Sequence, residues 1–154
     1  MFDKVLGLIK SGKEEGAVLE VGGERHGNVG YFIKPTVLSN VTDNMRIARE
    51  EIFGSVQTIL KFETIDEVIE RANNTNYGPA AGVLRKDIDK ALMFAQAAQA
   101  GSVRVNCYDT ITPQTLFGGF KQTGIGHELG AKGLKEYLET KTVSIKMPTR
   151  NCQI

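Results

Sequence analysis

The stretch VQTILKFETIDEVIERANNTNYGPAAGVL, residues 56–84, reads as strand, helix, strand. Residues 56–62 carry the β-branched and aromatic side chains that suit a pleated surface. Thr64-Ile65-Asp66-Glu67 then has the form of a capping box. In it the Thr64 oxygen accepts from the third helical N–H, and the Glu67 carboxylate reaches back to the start of the helix. Ile65, Val68, Ile69 and Ala72 recur at helical spacing and predict a buried stripe. Asn73, Asn74, Asn76 and Gly78-Pro79 end the helix, and residues 80–84 predict a short buried strand.

Outward from this stretch the alternation continues. Asp87 caps a helix with Ile88, Ala91, Leu92 and Ala95 on one face, and Val103 and Val105 form another strand. Alternating strands and helices predict an α/β fold with parallel strands. A parallel sheet needs cover on both faces, more than these few helices supply. On the N-terminal side, Phe2, Val5, Leu6 and Ile9 mark a helix that Gly16 stops. Residues 18–21 and 31–38 read as strands around a Gly-rich turn, with Pro35 demoting the second to an edge strand or a bulge. On the C-terminal side come a Gly-, Thr- and Pro-rich loop at 109–126 and a short helix around Leu134, Tyr137 and Leu138. Val143, Ile145 and Met147 then alternate with polar residues, as in a half-buried strand.

The 154 residues suit one domain or part of one. Hydrophobic residues at 41% and charged residues at 24% are ordinary for a globular chain. A net charge of +1 with interspersed signs leaves no footprint for nucleic acid. No apolar run approaches the roughly 20 residues that cross a bilayer, and the N-terminus has helical spacing rather than a signal-peptide core. Cys107 and Cys152, without close spacing, suggest neither a disulfide framework nor a zinc site. A reducing compartment follows, and the glycosylation patterns at Asn40 and Asn73 then carry no weight.

Candidate chemistry is sparse. Glu50-Glu51 followed by Ile52-Phe53-Gly54 admits two readings. In one the glutamates lie on a solvated face and Phe53 is core. In the other a carboxylate accepts from a pair of ligand hydroxyls and Phe53 walls a flat ring. Gly124-Ile-Gly126-His-Glu-Leu-Gly130 mimics a dinucleotide fingerprint but follows loop-like residues rather than a strand, so the fingerprint is rejected. Cys107 follows a strand and could be a nucleophile, yet no histidine is near in sequence, and a buried structural thiol is the favoured reading. Cys152 lies in the tail and is expected to be exposed. His26 and His127 stand alone without metal-ligand spacing.

Several segments, in order, resemble the aldehyde dehydrogenase superfamily, nearest to its class 1 and 2 enzymes. They are FDK at 2–4, KPTV at 34–37, VTDNMRIAREEIFGSV at 41–56, ERANNTNYG at 70–78, KDIDKA at 86–91, VNCYD at 105–109, FGGFKQTG at 117–124 and ETKTV at 139–143. The resemblance implies the C-terminal part of the family's catalytic α/β domain over residues 1–140, with an oligomerisation strand and tail over 141–154. It implies oxidation of aldehydes to carboxylic acids with NAD or NADP. The family's nucleophilic cysteine and general-base glutamate precede the segment matched here, so this chain alone is expected to be inactive and marginally stable.

Site residues carry over one by one. Glu51 matches the glutamate that binds the nicotinamide ribose hydroxyls, with Ile52 beside it and Phe53 flanking the nicotinamide. Phe2, Asp3 and Lys4 match a stretch that lines the ribose region. Ile111 and Phe117 match positions lining the aldehyde tunnel, and Asn106 matches an asparagine that buttresses the active site. Residues 142–147 match the strand that pairs with a neighbouring subunit, implying a homo-oligomer, a tetramer in this family. The location implied is the cytoplasm, or the mitochondrial matrix if a leader is missing. No metal, nucleic acid or membrane is implied.

The chain departs from the family's pattern at Ser55, Pro79, Arg104, Leu116 and His127. Arg104 in place of a buried indole would cost several kcal/mol, of order about 2–7, if it stayed unpaired. These departures keep a second reading open, a non-enzymatic relative of the lens-crystallin kind.

Overall fold

The computed structural model describes residues 1–147. The chain divides into two compact units, Met1–Thr75 with Gln96–Ala98, and Asn76–Ala95 with the residues from Gln99 onward.

The first unit opens with α1 (Phe2–Glu14), whose buried Val5, Leu8, Ile9 and Gly12 form the face anticipated from spacing. The helix stops before Gly16, which takes φ 103°, a conformation that only glycine adopts at little cost. Next come β1 (Val18–Val21), β2 (Thr36–Ser39), the short α2 (Arg46–Arg49), β3 (Val56–Thr58) and α3 (Ile65–Asn73). The sheet order is β1-β2-β3, antiparallel then parallel, with Leu19 opposite Leu38 and Thr36 opposite Val56.

Pro35 does not make β2 an edge. The strand begins one residue later, where the Thr36 N–H can donate to the Ser55 carbonyl at 2.9 Å, and β2 is central. Residues 31–35 lie outside it, tied by the bridge from Ile33 to Arg25 and by the Lys34–Glu24 ion pair at 2.6 Å. The third strand is also shorter than residues 56–62.

Leu8, Ala17, Leu38, Val41, Met45 and Ile47 form the core of this unit, with Leu19, Ile52, Val56 and Leu60 packed against it. Gly12 lets α1 and α2 approach closely, since a Cβ there would come within 2.5 Å of Ile47 Cδ1.

The cap on α3 differs in one detail from the expected box. Thr64 Oγ1 accepts from the Glu67 N–H at 3.1 Å, but Glu67 reaches one residue further back, to the Glu63 N–H at 2.8 Å. Thr64→Ala is expected to cost about 1 kcal/mol, as for other caps. Urea denaturation with hydrogen-exchange readout on α3 checks this, and an unchanged α3 protection would refute it. The predicted stripe on α3 is only half-buried at Ile65, Val68 and Ile69, and Ala72 is exposed, because few groups of this chain cover that face.

The second unit contains β4 (Tyr77–Gly78), β5 (Ala80–Val83), most of α4 (Ile88–Ala97), β6 (Ser102–Val105), β7 (Phe120–Lys121) and α5 (Gly130–Gly133). A 3-10 turn, Leu134–Tyr137, follows α5 where a short helix was expected. The strands β5 and β6 pair in parallel, Ala81 opposite Val103 and Val83 opposite Val105, joined in sequence through α4. Asp87 caps α4 through Oδ1, accepting from the Lys90 N–H at 3.2 Å.

The buried face of α4 is Ala91 and Phe94, whereas Ile88 and Leu92 are exposed. The stripe is therefore rotated from the expected one. Phe94 offers a large apolar surface to bury, whereas Ile88 stands 52% exposed.

The loop at 109–126 contains β7, antiparallel to β4, and Phe117 exchanges two 2.8 Å backbone bonds with Glu128. Gly124 to Leu129 lies between this two-residue strand and the four-residue α5, which Gly130 opens.

Residues 141–147 form no strand, and Val143, Ile145 and Met147 stand exposed. A strand needs a partner for its backbone groups, and none of the described strands offers one to this segment. Cys152 and the rest of the expected tail beyond 147 lie outside the described residues. Among the described residues, no helix is long and apolar enough to cross a membrane.

Candidate functional site

Four residues of α2 lead directly into Glu50-Glu51-Ile52-Phe53-Gly54. The helix ends because Glu50 is extended, at φ −97° and ψ 137°, with its N–H still bound to the Arg46 carbonyl. The two glutamates then part company. Glu50 accepts from Arg46 Nε at 2.6 Å and from Nη2 at 3.1 Å, a bidentate pair. The Arg46 hydrogen bond, with smaller contributions from the Arg46 and Lys4 charges, holds the Glu50 carboxyl below its ordinary value. Glu51 is exposed, and its carboxylate has no hydrogen bond or ion pair among the described residues.

Ile52 turns inward against the core, and Phe53 stands 68% exposed. A core role for Phe53 is therefore excluded in this chain. Gly54 backs onto α1: a Cβ there would come within 3.2 Å of the Val5 side chain.

That contact brings the motif beside the first turn of α1, which carries Phe2, Asp3 and Lys4. Phe2 is half-buried. Its ring meets Tyr31 edge-on at 5.8 Å, and the Arg25 guanidinium lies 5.5 Å from its centroid. Arg25 is fixed in turn by the Asn28 and Gly30 carbonyls. Asp3 and Lys4 are exposed. Sequence spacing carries no signal for these contacts, because Arg25 lies in the Gly-rich turn and Tyr31 just after it, and both meet Phe2 only in the fold.

The remaining candidates belong to the second unit. Asn106 sits at φ 54°, just past β6. Its N–H donates to the Val83 carbonyl at 2.8 Å and its Oδ1 accepts from the Arg85 N–H at 2.7 Å, so it ties the ends of β5 and β6 together. Phe117 is half-buried and Ile111 is 57% exposed.

Cys107 is exposed, not buried as expected: β6 ends at Val105 and the chain leaves the sheet before the thiol. Arg104 is half-buried and not left unpaired, since its Nε donates to the Thr110 carbonyl at 3.2 Å. The full cost of an unpaired guanidinium is therefore not incurred. Among the described residues no group of His, Cys, Asp and Glu could hold a metal ion.

Residues 1–143 match the aldehyde dehydrogenase family. The chain is 67% identical over 150 residues to aldehyde dehydrogenase 1A1 of Gallus gallus, and 60% identical over 150 residues to the Homo sapiens protein of that name. Each alignment covers 97% of this chain and 30% of the relative, so the chain spans about three-tenths of the length of these proteins.

Among solved structures, the NAD+ complex of an aldehyde dehydrogenase from Bacillus cereus superposes with a TM-score of 0.92 at 47% identity, over 96% of this chain and 30% of that one. Betaine aldehyde dehydrogenase from Staphylococcus aureus in complex with NAD+ gives 0.87 at 42%, over 91% and 29%. The chain belongs to the aldehyde dehydrogenase family, as a class 1/2-like segment of its catalytic domain.

Proposed function

We propose that this chain supplies the ribose-binding part of the cofactor site of an NAD(P)-dependent aldehyde dehydrogenase, with part of the wall of its aldehyde tunnel. The observation that carries this reading is the unequal pair: Glu50 is occupied by Arg46, while Glu51 is exposed, without a partner among the described residues, beside an exposed Phe53. An ionised carboxylate is an acceptor only, and its two oxygens suit the two hydroxyls of a ribose. Phe53 offers an apolar face to the flat ring attached to that ribose. Phe2, Asp3 and Lys4 complete this side, Ile52 anchors the loop behind it in the core, Asn106 supports the chain near the reacting centre, and Ile111 and Phe117 face the aldehyde. The solved relatives in complex with NAD+ support the choice of cofactor class.

Bound nicotinamide supplies a hydride acceptor. The residues of this chain bind and orient. The nucleophile and the general base come from outside it, so the chain alone turns over no aldehyde. Residues 142–147, alternating and unpaired, add a strand to a second subunit in a homo-oligomer. A rat relative named as a cytosolic aldehyde dehydrogenase, 61% identical over 148 residues, supports a cytoplasmic site of action.

The test is calorimetric titration with NAD of the full-length protein that carries this segment. Glu51→Gln should raise Kd about tenfold, the loss of ~1.4 kcal/mol of hydrogen bonding to a charged group. Glu70→Gln, on an exposed face of α3, should bind as the wild type does. Equal affinity of Glu51→Gln and wild type would remove the ribose role.

A second reading, a non-enzymatic structural relative of the lens-crystallin kind, is favoured by the altered motif positions at Ser55, Pro79, Arg104, Leu116 and His127. Tight NAD binding by the wild type counts against it.

A further inference from the structure

Ser11, Glu15 and Arg46 form a chain of contacts that ends at the acidic pair. Ser11 Oγ donates to Glu15 Oε1 at 2.6 Å, and Glu15 Oε2 accepts from the Arg46 N–H at 2.8 Å. The carboxylate that follows α1 is thus bound to the first residue of α2. The Ser11 hydroxyl and then that N–H hold the Glu15 carboxyl below its ordinary value. Arg46 in turn grips both oxygens of Glu50. The other arginine of α2 does not compete: Arg49 donates from Nε to the Asp43 carbonyl at 3.0 Å and from Nη2 to Asn44 Oδ1 at 2.8 Å.

Two adjacent glutamates with equal freedom would leave two carboxylates to meet one ligand, and their like charges would repel. The bidentate grip removes one of them from the competition. We infer that Arg46 is a positioning residue: by occupying both oxygens of Glu50, and by tying α2 to α1 through Glu15, it makes Glu51 the one carboxylate of the pair open to a ribose diol. The inference rests on the ribose reading of Glu51. An exposed i,i+4 ion pair adds little to stability. What a planar guanidinium adds is direction, because a fork-to-fork pair fixes the carboxylate's orientation. Arg46 touches no ligand in this scheme and acts only through Glu50 and the loop that follows.

The test is carboxyl labelling of the full-length protein that carries this segment, with a carbodiimide and an amine, read at single residues by fragment-ion mass spectrometry. In the wild type Glu51 should label several-fold faster than Glu50. Arg46→Gln should bring the two rates together, and Arg46→Lys, which cannot form the bidentate pair, should fall between. Saturating NAD should slow labelling of Glu51. The Kd for NAD should rise about threefold to fivefold in Arg46→Gln, the scale of an exposed ion pair.

Hydrogen exchange of the β2 amides should be the same in wild type and variants, which separates lost positioning from lost folding. Equal labelling of Glu50 and Glu51 in the wild type overturns the inference. So does an Arg46→Gln variant that keeps the wild-type contrast or the wild-type affinity. If NAD leaves wild-type Glu51 labelling unchanged, the ribose reading is overturned on its own, and the contrast in Arg46→Gln still decides whether Arg46 sets the pair.

Discussion

Gly101→Ala is expected to destabilise the second unit by about 3 kcal/mol or more, the upper end of the range for overpacked sites. A Cβ at this position would lie 1.6 Å from the Gly118 carbonyl oxygen, 2.6 Å from its carbon and 3.1 Å from Gly119 Cα. All three are backbone atoms, so no rotamer change relieves the clash.

The two segments that meet here are the start of β6 and the Gly118-Gly119 pair ahead of β7. The Gly101 N–H donates to the Gly78 carbonyl at 3.0 Å, so moving it away would also loosen β4 and, through it, the β4–β7 pair. Hydrogen exchange at Ser102–Val105 and Phe120–Lys121 reads the effect directly. Wild-type protection in both strands of the Gly101→Ala chain would show that the backbones can part at little cost. Gly101 thus serves close backbone packing between two segments.

The second large effect is expected in the other unit. Leu38→Ala should cost about 2–5 kcal/mol, the range for truncating a buried leucine. Leu38 is fully buried in the central strand β2 and packs among Leu8, Ala17, Val41, Met45 and Ile47. Hydrogen-bonded strands flank it on both sides, so the backbone cannot collapse into the cavity, and the cost should fall toward the upper part of that range. Leu38→Met, which conserves volume, should cost less than about 1.5 kcal/mol. Urea denaturation followed by exchange at the β2 and β3 amides compares the two. A Leu38→Ala chain as stable as Leu38→Met would mean that this cluster is not the unit's core.

Much of what positions the candidate site is local, and local features can be read from neighbouring residues. The end of α1 before Gly16, the Thr64 cap, the Asp87 cap and the β5–α4–β6 alternation each follow from a few consecutive side chains acting on their own backbone. The family resemblance, carried by short motifs in order, agrees with the match over residues 1–143.

Burial was less legible. Helical spacing marks which residues of α3 and α4 share a face, but exposure depends on what else lies against that face. Ala72, Ile88 and Leu92 share those faces and are nonetheless exposed. Cys107 is exposed for a related reason, since β6 ends two residues earlier.

The acidic pair shows the same division most clearly. Two adjacent glutamates before Ile-Phe-Gly left two readings open, a solvated face or a carboxylate beside an aromatic wall, and the resemblance singled out Glu51. The sequence alone contained no means of telling the two carboxylates apart physically, because they are the same chemical group one residue apart. Only the tertiary structure separates them. The turn of α2 places Arg46 under Glu50, Glu15 anchors Arg46 from the end of α1, and Gly54 against Val5 sets the motif beside Phe2, Asp3 and Lys4. These contacts join residues as much as 49 positions apart (Val5 to Gly54), and sequence spacing carries no information about pairs brought together only by packing.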